Sequence, residues 1–177
     1  MNVFVLCTGR CGSTTFVKAA SHIENYTAGH ETRSRFLGEE RLTYPPNHIE
    51  ADNRLSWLLG RLENSFGKEA FYVHLQRDRE AVARSYALRF DNKVSIVRAY
   101  KEGILMDTRA RERIPLCLDY VDTVTANISH FLRDKPNQMA FRLENAEQDW
   151  MSFWARIGAE GDSSAALLEW KVKHNAH

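Results

Sequence analysis

Three cysteines in 177 residues, at positions 7, 11 and 117, form an odd set without the paired spacing of a disulfide framework or a zinc ribbon. Four prolines exclude a polyproline or collagen-like chain, and nine glycines are too few for a low-complexity linker. The net charge is only +1, from 24 basic and 23 acidic side chains, so nothing global draws the chain to nucleic acid or to an anionic membrane surface. No apolar run approaches the ~20 residues that span a bilayer. The first residues read as a strand rather than as a basic stretch before an apolar leader, so a cytoplasmic protein with reduced thiols is expected. Hydrophobic residues make up 44% and charged residues 27%, and the length suits one domain, residues 1–177, with a full core.

Against this plain background one stretch stands out, Thr8-Gly9-Arg10-Cys11-Gly12-Ser13-Thr14-Thr15. The run Val3-Phe4-Val5-Leu6 before it is β-prone, and Phe16, Ala20 and Ile23 after it share one helical face. A strand, a small-residue turn and a helix aim backbone N–H groups and a helix N-terminus at one point, where an anion is held. Arg10 adds a positive charge, and Ser13, Thr14 and Thr15 add hydroxyl donors. The stretch matches no standard phosphate-binding signature. Gly9 and Gly12 are too close for G-x-x-x-x-G-K-[ST], no Lys precedes Ser13, and the dinucleotide pattern G-x-G-x-x-G is missing. A phosphatase-type Arg six residues after Cys7 is replaced by Ser13. An ordinary βα turn with Ser13 as N-cap is the local alternative to an anion cradle.

A second segment weighs for the anion. Ala70–Leu75 is an apolar run of strand length that ends at Gln76-Arg77-Asp78. Asp78 suits an N-cap and Glu80 the first turn of a helix reaching about Arg89, with Ser85 and Arg89 four residues apart on one face. Arg77 falls at the strand's C-terminal tip, the edge at which open α/β sheets take ligands. Arg77, Ser85 and Arg89 are therefore read as a second anion site, with a solvated basic face, shared with Arg79 and Arg84, as the alternative. Two anion sites behind two strands suit a nucleotide with phosphates at both ends of its ribose.

In these two segments the chain resembles the sulfotransferases that use 3′-phosphoadenosine-5′-phosphosulfate (PAPS). Residues 8–14 look like their 5′-phosphosulfate loop, and residues 77–89 like their 3′-phosphate segment, an Arg at a strand end with a Ser eight residues on. Tyrosylprotein sulfotransferases and related bacterial enzymes likewise place an Arg in the first loop and a further Arg four residues after the Ser, matched here by Arg10 and Arg89. Gly29-His30-Glu31-Thr32-Arg33 is similar to their Glu-Thr-Arg, which implies Glu31 as the base and Arg33 as a neighbouring active-site cation. His30 is the competing base, since many cytosolic sulfotransferases use His. Where relatives carry a Lys against the transferring group, this chain offers Arg54, and the family's adenine-contacting aromatic is not evident around Phe141-Arg142-Leu143-Glu144. The tail, with Lys171 and Lys173, resembles the basic segment that closes over the cofactor. The resemblance implies that Gly9, Arg10, Cys11, Gly12, Ser13, Thr14, Thr15, Arg77, Ser85, Arg89, Lys171 and Lys173 bind PAPS, that no metal takes part, and that the acceptor is a small molecule or a peptide.

The remaining pattern alternates strands and helices, which predicts a P-loop-like three-layer α/β/α fold around a parallel sheet of four to five strands. Strands are expected near 2–7, 26–30, 48–50, 70–75 and 139–143. Helices are expected at 13–23, 55–66, 78–89, around 94–104, at 117–132, and through Trp150-Phe153-Trp154-Ile157 and Leu167-Leu168. Residues 32–47 read as a loop and 107–115 as a mobile, charged one. A P-loop kinase or NTPase and a non-catalytic nucleotide-binding module remain the alternative functions. Oligomeric state is not legible.

Overall fold

A computed structural model describes residues 1–172. Five parallel strands form one sheet: β1 (Val3–Leu6), β2 (Thr27–His30), β3 (His48–Ala51), β4 (Phe71–Gln76) and β5 (Gln138–Arg142), in the order β2-β3-β1-β4-β5. Every residue of β1 is buried, as an unbroken Val-Phe-Val-Leu run requires of a strand covered on both faces. Helices α1 (Ser13–Ala20), α6 (Ala146–Ile157) and α7 (Ser163–Glu169) cover one face. There Phe16 is ringed by Phe141, Trp150, Phe153 and Trp170 at centroid distances of 5.0–6.0 Å. On the other face lie α2 (Leu59–Phe66) and α5 (Arg113–Leu132), where Phe4 meets Phe66 and Tyr72 meets Phe131. The expected three-layer α/β/α architecture is thus present, and the Trp150–Phe153 face is core. Helix α3 (Arg79–Ala87) packs against α5.

Several boundaries differ from the sequence reading. The helix expected over 55–66 is two pieces, a 3-10 turn at Asn53–Trp57 and then α2. Asp52 caps the turn by accepting from the Arg54 N–H at 2.8 Å, and Leu58, at φ −120°, separates the two. The middle helix is a short α4 (Ile96–Ala99) continued by a π-helical turn, Tyr100–Ile104. The charged stretch expected to be mobile carries an anchor: the buried Asp107 carboxylate is gripped by Arg109 and Arg111, and Lys101 donates to the Asp107 carbonyl at 2.7 Å. Helix α5 begins at Arg113, with Pro115 in the first turn, where no backbone N–H is needed. The loop over 32–47 contains a 3-10 turn, Gly38–Leu42, that buries Arg41. Among the described residues no helix is long and apolar enough to cross a membrane.

Candidate functional site

The strand order sets the site. The chain leaves β1 toward the β2 edge, returns through β3, and crosses to β4 on the other side, so the order reverses at β1. Ligands of open α/β sheets sit beyond the strand C-termini at such a reversal. All strands being parallel, that edge collects the loop after β1 (residues 7–12), Glu31 after β2, Asn53 and Arg54 after β3, and Arg77 after β4.

The loop after β1 is tightly wound. Gly9, Arg10 and Gly12 have φ of 82°, 60° and 92°, so three of four consecutive residues are left-handed, the winding that gathers N–H groups into an anion-binding concavity. A Cβ on Gly9 would lie 2.2 Å from the Tyr86 hydroxyl oxygen and 2.9 Å from Asn53 Nδ2. Tyr86 and Tyr120 both donate to the Thr8 carbonyl, at 2.6 and 2.9 Å, and pin the loop from beneath. Cys7 and Cys11 are buried, as small packed residues should be. Cys7 Sγ accepts from the Gly9 N–H at 3.3 Å, and the Cys11 thiol donates to the Gly9 carbonyl at 3.2 Å. Gly12, not Ser13, is the N-cap of α1. No side chain caps that helix, no acid stands in its first turn, and its N-terminus faces the loop uncompensated. The Ser13 hydroxyl instead meets His30 Nε2 at 2.9 Å.

The cations converge more closely than two separate anion sites would. Arg10 Nε donates to Ser85 Oγ at 3.0 Å, and Arg77 Nη1 donates to the Arg10 carbonyl at 3.1 Å. Burial, then the charges of Arg89 and Arg77, lower the pKa of the Arg10 guanidinium below its ordinary value. The first loop and the Arg77-Ser85-Arg89 segment therefore form one basic locus. A cleft of about 210 Å³ opens onto it, lined by Arg10, Ser13, Thr14, Arg89, His30, Glu31 and Arg54. Arg77 faces a second hollow of about 280 Å³, with Cys11, His74, Gln76 and Arg142.

Glu31 is left-handed at φ 54°, an uncommon state for a side-chain-bearing residue that turns it at the end of β2. Its Oε2 lies 2.8 Å from Arg54 Nη1, so the residue offered in place of the relatives' Lys is the ion-pair partner of the candidate base. His30 stands beside it on the cleft wall. Other expected residues lie elsewhere. Arg33 sits over the Phe36 ring at 5.0 Å and lines neither hollow. Thr15 is buried under the loop, Lys171 lines neither hollow, and Lys173 is outside the described residues. Tyr86, Asn53, Asn92 and Ser95, which also line the cleft, were not singled out from the sequence. Tyr86 carries the only local signal, being next to Ser85.

No family model matches the chain, and no curated protein matches it. Among solved structures it is similar to the sulfotransferase domain from the curacin biosynthetic pathway, with a TM-score of 0.67 at 14% identity. The match covers 97% of this chain and 78% of that one. The two share a P-loop-like α/β fold with a central parallel sheet flanked by helices.

Proposed function

We propose that residues 1–177 form a single sulfotransferase-like domain that moves a sulfuryl group from PAPS to a hydroxyl or amine of a small molecule or peptide. The observation that carries this reading is the meeting of Arg10, Ser85 and Arg89 beside the α1 N-terminus, with Glu31 and Arg54 lining the same cleft and Arg77 bonded to the Arg10 carbonyl from the neighbouring hollow. The donor set suits a polyanion: mutually repelling guanidinium groups and a left-handed loop, with a glycine where a side chain would strike Tyr86 and Asn53.

When bound, PAPS supplies an activated sulfuryl group whose bond to the phosphate oxygen breaks as a bond to the acceptor forms. The loop N–H groups and Arg10 hold the 5′-phosphosulfate and stabilise the charge that develops on the departing oxygen. Arg77, Ser85 and Arg89 hold the 3′-phosphate, which a guanidinium grips through paired hydrogen bonds. Glu31 takes the acceptor's proton, on Oε1 because Oε2 is engaged by Arg54. Arg54, the ion-pair partner of Glu31, offers its positive charge to the transferring sulfuryl group. Alignment of acceptor and donor supplies much of the remaining rate.

Calorimetry with 3′,5′-adenosine bisphosphate and with ATP, each with and without a chelator, tests the reading. The bisphosphate should bind at least about tenfold more tightly, a margin of roughly 1.4 kcal/mol, with no dependence on divalent cations. Preference for ATP with Mg²⁺ would overturn it in favour of a kinase or NTPase. Tight bisphosphate binding with no transfer to any acceptor would leave only a nucleotide-binding module.

A further inference from the structure

Two carboxylates lie fully buried at the active edge, Glu50 in β3 and Asp52 just beyond it, on the same side of the chain. Neither reaches the cleft. Each holds the residue behind one half of the Glu31–Arg54 pair. Glu50 Oε1 accepts from the Thr32 N–H at 2.7 Å and its Oε2 from the Thr32 hydroxyl at 2.7 Å, clamping the residue that follows Glu31. The Glu31 N–H is tied to the Ala51 carbonyl at 3.1 Å, so the left-handed turn is fastened on both sides to β3. Glu50 is itself held by His48 Nε2 at 3.0 Å, and His48 by Thr27 Oγ1 at 2.8 Å and by stacking on Tyr44. Gly29 makes room for the clamp: a Cβ there would lie 2.4 Å from the Thr32 methyl carbon and 3.0 Å from Glu50 Oε2. On the other side Asp52 accepts from the Arg54 N–H at 2.8 Å and from Arg41 Nη2 at 2.5 Å.

Burying a carboxylate is costly unless its oxygens are satisfied, and a core strand has no structural need of two. The geometry points to Glu50 as a positioning residue that holds the Glu31 carboxylate toward the cleft, with Asp52 doing the same for Arg54. This rests on the reading of Glu31 as the base. It extends that reading to the β3 residues, which set where the base stands and touch neither donor nor acceptor.

Three variants test it: Glu50→Met, which removes both acceptors at similar length, Glu50→Gln, which keeps one oxygen for the Thr32 N–H, and Thr32→Val, an exposed site that loses only the hydroxyl bond. In Glu50→Met the Thr32 amide should exchange with solvent at least about tenfold faster, and kcat should fall by about 10–100-fold with the donor KM unchanged. The affinity for 3′,5′-adenosine bisphosphate should stay within about twofold, because the loop after β1 is untouched. Glu50→Gln should recover most of both losses. A protected Thr32 amide with unchanged kcat in Glu50→Met overturns the inference. So does a parallel loss of kcat and bisphosphate affinity, the mark of general loosening. If Glu50→Met does not fold, Thr32→Val decides by the same split of kcat from KM. Should the wild-type protein transfer no sulfuryl group, the sulfotransferase reading fails, and the exchange measurement alone still reports whether Glu50 holds the Glu31 turn.

Discussion

Replacing Gly9 with Ala tests the cradle most sharply, because its cost is set by two separable contacts. At φ 82° a side-chain-bearing residue is strained by about 1–2 kcal/mol. The new methyl would stand 2.2 Å from the Tyr86 hydroxyl oxygen, far inside contact, and that hydroxyl is buried and bonded to the Thr8 carbonyl at 2.6 Å. Tyr86 must withdraw, which loses a hydrogen bond worth about 1 kcal/mol and leaves a buried hydroxyl unsatisfied at about 1–3 kcal/mol. The total is about 3–6 kcal/mol, a large share of the roughly 5–15 kcal/mol that holds a domain folded. In a Tyr86→Phe background the hydroxyl is gone, so Gly9→Ala should cost the backbone strain of about 1–2 kcal/mol and a small shift of the Asn53 amide, 2.9 Å from the new methyl. Urea unfolding of the wild type, both single variants and the double variant gives the coupling directly, expected near 2 kcal/mol. Additivity within about 0.5 kcal/mol would show that Tyr86 does not shape the loop, and the account of Gly9 would be wrong.

Arg10→Ala should lower kcat by about two orders of magnitude while the far-UV spectrum and unfolding midpoint hold; an unchanged rate removes Arg10 from the chemistry. Glu31→Gln should abolish transfer yet keep bisphosphate binding, whereas persistent activity that His30→Ala then eliminates would make His30 the base. Burial, with a smaller push from Arg142, lowers His74 to about 4 from an ordinary 6.5. The unfolded chain therefore binds the proton first, so stability is full above about pH 6.5 and falls as the pH drops toward 4, by about 3 kcal/mol. His74→Gln should flatten that part of the unfolding-versus-pH curve, and an unchanged slope would refute the assignment. Arg41→Met leaves Asp52 buried without its cation and should cost about 3–5 kcal/mol in urea unfolding, partly restored by adding Asp52→Asn; a loss below about 1 kcal/mol would show the pair to be dispensable.

Much of this was legible from local pattern. A continuous Val-Phe-Val-Leu run, a loop of glycines and hydroxyls, and the helical phase of Phe16 depend on residues within a few positions of one another, and they placed the first loop correctly. The spacing from Arg77 to Arg89 marked the strand end and the helix after it, but Arg77 and Arg89 line different hollows. Arg33 stands off the cleft because, three residues past the end of β2, nothing local fixes its direction, and it lies over the Phe36 ring instead. The split of the 55–66 helix was missed because Asp52, which caps the preceding turn, lies before the apolar spacing that marked the helix, and that spacing does not register the break at Leu58. Nothing near Tyr120 in the chain says that its hydroxyl ends on Thr8, 112 residues away.

That the first loop, Glu31, Arg54 and Arg77 stand at the C-terminal edge of the sheet followed from the sequence alone, since strand ends and helix starts are marked by periodicity and small-residue turns. Which of them touch was decided by the sheet. Pairing β2 with β3 sets Arg54 next to Glu31, and pairing β1 with β4 sets Arg77 against the Arg10 carbonyl. The packing of α3 then delivers Ser85 to the Arg10 side chain and the Tyr86 hydroxyl to the loop. These contacts join residues 23 to 78 positions apart. Strand order determines them, and strand order comes from how the whole core closes rather than from any one segment.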